Sequence, residues 1–344
     1  LINSGKLITL SNWFDQVPGE KLQTAPELIS IQATILLVRG DVAASIKLLD
    51  RAIEGLKKSH KESDLGRSLN RRSIANNHLG NYVESLQDAD EAIALTENKP
   101  GLESIRAEAF RMRGLSLFQQ GDLLGSLDAL NNSRYLFESF GNKEDIAGVL
   151  MELGIAQRRL GNFDSAEKAY QDALERWQTS GNSMWQANVL NNLGFLQNLR
   201  GQYEQAAMSF ERSLQHARLA AYPRMEGFAL LSLADLYRDL RAIKEAQQTY
   251  QMAQDIVTRT QEKNLNIYLA LSNVAVLRIE QQYTEALEAV KQTEALAKKG
   301  GFTYEINLCR LEQVTLALKM GKTDGVEEEI NYLSSTLERQ RNLT

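Results

Sequence analysis

The chain has 344 residues, 43% hydrophobic and 24% charged, with 39 basic against 44 acidic side chains and a net charge of −5. That balance gives no reason to expect a nucleic-acid backbone as partner, since phosphate binding needs a basic stripe, and no apolar run approaches the length that spans a bilayer. The single cysteine, Cys309, excludes an internal disulfide and fits a cytoplasmic setting.

With only 4 prolines, long helices can run uninterrupted. The first expected helix covers Lys6 to Val17, and Pro18-Gly19 ends it. Its apolar face of Leu7, Leu10 and Phe14 has no preceding partner, so residues 1–22 read as the second helix of an earlier repeat. Together with a first residue that is Leu1 rather than Met, this points to a fragment of a larger multidomain protein. Pro26 opens the next helix, at the position where a missing N–H costs little.

From there a glycine followed five residues later by a small residue recurs with a period of 40. The glycines are Gly40, Gly80, Gly121, Gly161 and Gly201; Arg241 and Gln281 keep the phase without being glycine, and Gly321 restores it. The small partners are Ser45, Ser85, Ser126, Ala166, Ala206, Ala246 and Ala286, and Val326 breaks the rule. Such a period marks an array of one supersecondary module, a single domain over residues 1–344 with about eight repeats over residues 23–344.

The unit around Gly161 shows the module. Ile146, Val149, Leu150, Leu153 and Leu160 precede the turn, and Phe163, Ala166, Tyr170, Ala173 and Trp177 follow it, both at the three-four spacing of an amphipathic helix. Loop signals separate the units at Asn98-Lys99-Pro100-Gly101, Gly141-Asn142, Gly181-Asn182, Ala221-Tyr222-Pro223 and Gly300-Gly301. The expectation is an all-α chain: helix, tight turn, helix, short loop, repeated.

In order, Leu153-Gly154, Gly161, Phe163, Ala166, Tyr170 and Ala173 carry a pattern that resembles the tetratricopeptide repeat. Leu193-Gly194, Gly201, Tyr203, Ala206 and Phe210 repeat it. The resemblance implies a right-handed α-α superhelix, a solenoid of about eight helix pairs. A period of 40 exceeds the usual 34, which longer helices and longer loops would supply. The stretch Leu10 to Pro18, then Leu22, Pro26-Glu27-Leu28 and Gly40, resembles a narrower group, the helical-repeat region of MalT-type regulators. These are ATP-dependent STAND-type transcription activators ending in a LuxR-family DNA-binding domain. That likeness implies ATPase and DNA-binding domains elsewhere in the parent chain, with no direct nucleic-acid contact by this region.

The tetratricopeptide likeness also implies that first helices line the concave face. In that register the positions thirteen, ten and three residues before the turn include Arg67 and Asn70, then Arg111, Met151, Arg158, Asn188, Asn191, Asn198, Phe228, Arg238 and Tyr268, with Phe195 on the same helix as the asparagines. Asn188, Asn191 and Asn198 share one face, and each carboxamide offers both donor and acceptor to a peptide backbone or a sugar. The adjacent Asn192 is expected to face elsewhere. Arg111, Arg158, Arg238 and Arg278 offer charge for a carboxylate, and Phe195, Phe228 and Tyr268 offer rings for stacking.

Catalytic chemistry is not expected. Gly321-Lys322-Thr323 resembles the end of a phosphate-binding loop, but the earlier glycine it requires is Leu316. His60, His78 and His216 fall in different repeats without metal-ligand spacing, so no metal or other cofactor is expected. Two functions compete. One is the sensor of a MalT-like regulator, binding a small-molecule inducer or a regulatory protein. The other is a protein- or peptide-interaction scaffold, since the asparagine-rich face resembles those of kinesin light chains and peptide-sensing bacterial regulators.

Overall fold

A computed structural model of the protein describes residues 24–342 and the isolated positions Phe14 and Gln16. Apart from those two positions, the expected helix over Lys6 to Val17 lies outside the described residues. The described chain divides into two compact units, one ending at Gly161 and one running from Asn162 to Asn342.

The first unit holds α1 (Pro26–Val38), α2 (Val42–Ser59), α3 (Glu62–Leu79), α4 (Tyr82–Thr96), α5 (Glu103–Gln120), α6 (Leu123–Ser139) and α7 (Lys143–Arg159). The second holds α8 (Phe163–Ser180), α9 (Ser183–Leu199), α10 (Tyr203–Leu219), α11 (Pro223–Asp239), α12 (Ile243–Thr260), α13 (Lys263–Ile279), α14 (Tyr283–Gly300), α15 (Thr303–Lys319) and α16 (Val326–Asn342). The fold is all-α, and each unit is a helix-hairpin stack of the α-α solenoid type. Within each unit every helix packs on its sequence neighbours, and first helices of successive repeats also touch, as α3 does α5 and α9 does α11.

All eight expected turn positions adopt left-handed backbone, from φ 62° at Gln281 to φ 94° at Gly121. Two of them, Arg241 and Gln281, do so with a side chain, because the turn hydrogen bonds fix the conformation. At Gly201 the N–H donates to the Asn198 carbonyl (3.0 Å) and that of Gln202 to Gln197 (2.9 Å); Arg241 and Ala242 reproduce this onto Arg238 (3.0 Å) and Tyr237 (2.9 Å). A second left-handed series falls half a period away at His60, Gly141, Gly181, Ala221, Gln261 and Gly301; the loop signals mark four of these positions, and His60 and Gln261 carry none. The chain therefore turns about every twenty residues, between helices mostly 17 or 18 residues long. This corrects the expectation of longer loops: connections such as 200–202 and 220–222 are minimal, so the helices carry most of the extra length.

The small residues five after each turn are fully enclosed, from Ser45 to Ala286, and Val326 nearly so. They let the two helices of a hairpin approach closely. In the first unit the position holds serine, and two of the three serines are hydrogen-bonded across the hairpin, whereas Ser126 Oγ is enclosed without a partner among the described residues. Ser45 Oγ donates to the Ala33 carbonyl at 2.8 Å, and Ser85 Oγ lies 2.8 Å from both the Ser73 carbonyl and Ser116 Oγ. In the second unit it holds alanine within apolar clusters, such as Ala206 with Phe210, Leu233 and Leu236, and Ala246 with Tyr250, Leu230 and Leu269.

Candidate binding face and its recess

The first-helix positions fall into two sets, one in each unit. In the first unit Arg111 is committed to the next repeat. Its Nε lies 2.9 Å and 3.0 Å from the two carboxylate oxygens of Glu152, and Nη2 lies 2.6 Å from Oε1. Glu108 adds a second carboxylate at 3.8 Å. Burial opposes the Arg111 charge, but Glu152 and then Glu108 outweigh it and hold the guanidinium above its ordinary range. Burial likewise holds the Glu108 carboxyl above the usual carboxylate range, although Arg111 opposes it. Met151 and Arg158 are half-buried on α7.

In the second unit Asn188, Asn191 and Phe228 come together. With Asn192, Tyr222, Arg224 and Met225 they line a recess of about 360 Å³ between the middle of α9 and the start of α11. Two of the amides are partly used. Asn188 Nδ2 donates to the Met184 carbonyl (2.8 Å), and Asn192 Nδ2 donates to the Asn188 carbonyl (3.1 Å). Those bonds anchor the side chains and leave their Oδ1 atoms as acceptors. Asn191 Oδ1 is enclosed and accepts no hydrogen bond from any described residue. Such an oxygen is costly to leave unmet.

The opposite wall supplies positive charge and ring surface. Tyr222 and Pro223 open α11, so free N–H groups and the positive end of the helix dipole lie at the recess. The Arg224 guanidinium sits 5.9 Å from the Phe228 ring centre and 4.0 Å from the Glu262 carboxylate. Phe228 in turn meets Tyr268 edge to face at 6.2 Å. The other half of the first Arg224 turn is settled elsewhere, since Glu226 pairs with Arg218 at 2.8 Å.

The remaining expected positions lie outside the recess lining. Phe195 is 43% exposed, and Asn198 is half-buried near the end of α9. Arg238 binds Asp235 at 2.6 Å and Asp239 at 2.8 Å and reaches Tyr250 Oη at 3.3 Å. Tyr268 donates its hydroxyl to Glu305 at 2.8 Å, and Arg278 pairs with Glu312 at 2.6 Å. Tyr268 and Arg278 thus tie neighbouring repeats together, while Arg238 is held within its own hairpin. Asn192 overturns the expectation that it faces elsewhere, because the recess wraps around α9 to meet the Tyr222 loop. Arg224 and Tyr222 were missed as well; the Ala221-Tyr222-Pro223 loop signal, one residue before Arg224, marks where they sit.

Repeated helix hairpins with enclosed small contacts define a tetratricopeptide-like α-α fold. Residues 145–218 match the family described as tetratricopeptide repeat. No curated protein gives a sequence match. Among solved structures, the Rap conjugation gene regulator of the plasmid pLS20, in complex with the Phr* peptide, is similar at 15% identity and TM-score 0.66, covering 93% of this chain and 96% of that one. The apo quorum sensor NprR from B. thuringiensis is similar at 16% identity and TM-score 0.63, covering 97% and 96%. A signal transduction ATPase with numerous domains (STAND) carrying a tetratricopeptide repeat sensor, from Pyrococcus horikoshii, is similar at 13% identity and TM-score 0.57, covering 92% of this chain and 50% of that one. At these identities the likeness is one of fold. Among the described residues no helix is long and apolar enough to cross a membrane.

Proposed function

We propose that the chain is a partner-sensing binding domain rather than an enzyme, and that the recess between α9 and α11 grips an extended peptide segment. The observation that carries this reading is the set of three carboxamides, Asn188, Asn191 and Asn192, with Asn191 Oδ1 enclosed and unmet. Peptide N–H groups satisfy such oxygens whatever the side chains of the segment, while Arg224 and Phe228 add charge and a ring for selectivity. Support comes from the similar fold of a regulator whose structure contains a bound peptide and of a quorum sensor.

The test is a binding screen of peptide pools followed by fluorescence anisotropy on hits. A ligand at a hundred times its dissociation constant should stabilise the fold by roughly 2.7 kcal/mol. Asn191→Ala is expected to weaken a true hit about tenfold. Unchanged affinity in that variant would remove the recess from the interaction.

A second reading is favoured by the likeness to the STAND protein, of which the matched region is half. In it the domain is the sensor of a MalT-like ATP-dependent transcription regulator, taking a small-molecule inducer or a regulatory protein. Binding would then bias a multidomain equilibrium, which requires different affinity for its two states. Saturable stabilisation by a sugar or metabolite, with peptides silent, would favour this reading over the first.

A further inference from the structure

Side chains of the second-type helix α10 line an open groove of about 390 Å³ in the second unit: Glu211, Leu214, Gln215, Arg218 and Leu219. Steps of three and one place them on a single stripe of the helix. Leu214 is half-buried, packed against Ala217 and Met225. The rest of the stripe is open to solvent, and Leu219 is 68% exposed. Met208, 57% exposed, extends the same stripe by one turn toward the start of α10. Two large apolar side chains therefore stand in water on one face, where a partner would remove them from it.

The charges on this stripe are of opposite sign and only partly used. The Glu211 carboxylate forms no ion pair or hydrogen bond with any described residue. Arg218 gives Nε to Glu226 at 2.8 Å, which leaves the Nη groups of its fork for a second carboxylate.

The stripe is its own complement. Glu211 and Arg218 lie two turns apart, and their midpoint falls between Leu214 and Gln215. Met208 and Leu219 lie three turns apart, and their midpoint falls between Ser213 and Leu214. The helix rises about 1.5 Å per residue, so one two-fold axis serves both pairs to within about that distance. About such an axis, two antiparallel copies of α10 set Glu211 of each against Arg218 of the other, and Met208 of each against Leu219 of the other. At about 3.6 residues per turn the charged pairs run along one edge of the seam and the apolar pairs along the other. Gln215 lies between the edges and close to the axis, where two carboxamides can each donate and accept. A parallel arrangement would instead oppose like charges.

We infer that α10 is a self-association face, on which a second copy of this chain lays its own α10 antiparallel to form a two-fold dimer. An isologous contact needs one patch in which residue i meets residue j while j meets i, and this stripe meets that condition. One pair of helices buries less than a standard interface, so the dimer is a weak one. The face shares no residue with the amide recess, and the inference holds whether or not that recess binds a peptide.

The test is sedimentation equilibrium of the full chain, from micromolar concentration toward the millimolar range. Dimer is expected at the upper end and less of it at high salt. Glu211→Arg and Arg218→Glu should each weaken the dimer about tenfold or more, since each opposes like charges at both crossings. Both positions are exposed, so the melting temperatures should stay close to that of the unaltered chain. The two single variants, mixed, should pair with each other more tightly than either pairs with itself, and E211R/R218E should regain the dimer. Leu219→Ser, which touches no charge, should also weaken it. A chain that stays monomeric throughout overturns the inference, as does a dimer that none of these variants weakens. A dimer weakened by the single variants but restored neither in their mixture nor in E211R/R218E overturns it as well.

Discussion

Replacing Gly194 by alanine should destabilise the protein even though alanine is the better helix former. A Cβ added at Gly194 would lie 2.7 Å from both Cδ1 and Cε1 of Phe210 and 3.2 Å from the Ala206 carbonyl oxygen. The Phe210 ring is 1% exposed and packed among Ala206, Leu233 and Leu236, so it has no free direction in which to retreat. The substitution gains about 1 kcal/mol of helix propensity. Overpacking a rigid site costs about 1 to 3 kcal/mol, and a clash that includes backbone falls toward the upper end. The net expectation is a loss of about 1 to 2 kcal/mol, read as a shift in the urea midpoint followed by helix circular dichroism. Phe210→Leu in the same chain should make Gly194→Ala less damaging than it is alone, which a double-mutant cycle measures. A neutral or stabilising Gly194→Ala would refute the reasoning, because the spacing of α9 and α10 would then not be set by that contact.

Arg241→Gly and Gln281→Gly relieve left-handed backbone held by residues with side chains. Each should raise stability by about 0.5 to 1 kcal/mol, the steric gain outweighing the looser unfolded chain; a lower melting temperature would count against this. Arg111→Ala leaves Glu152 and Glu108 without their cation and should cost about 3 kcal/mol, whereas Arg111→Met with Glu152→Leu should recover most of it; denaturation of the three variants tests the pair. Cys309 is fully enclosed, and burial, helped by Glu294 and Glu305, pushes its thiol up to about 11. Iodoacetamide at pH 8 should therefore label it in the native protein more than about a hundredfold more slowly than in urea, as mass spectrometry will show.

The repeat was legible because its two most constrained positions, the left-handed turn and the small residue facing the partner helix, recur at fixed spacing. The second turn series was legible only where a loop signal marks it, because its left-handed conformation is carried by His60, Ala221 and Gln261 as well as by glycine. Nothing in those side chains announces a positive φ, which the hydrogen bonds of the preceding helix end enforce. The candidate site shows the same division. Asn188 and Asn191 follow from helix periodicity together with the register that the tetratricopeptide resemblance implies. Asn192 does not, since a single-helix projection cannot see the Tyr222 loop of the following repeat closing over it. Arg111 looked available for the converse reason: its partner Glu152 lies 41 residues on. That separation is close to the repeat itself, as are the 37 residues from Tyr268 to Glu305 and the 34 from Arg278 to Glu312. A charged residue in such an array is best judged against the residues one period away.

The exchange of serine for alanine at the small contact, between the first unit and the second, also sets how each stack bears load. Hydrogen bonds such as those of Ser45 and Ser85 are directional and fail when one helix slides along the next. Alanine against leucine or phenylalanine keeps much of its contact through a small slide, because apolar attraction has no preferred direction. Under sideways force the serine-wired stack should behave as a brittle element that holds its register and then yields at once. The alanine stack should be the compliant one, able to lengthen and recoil while staying folded.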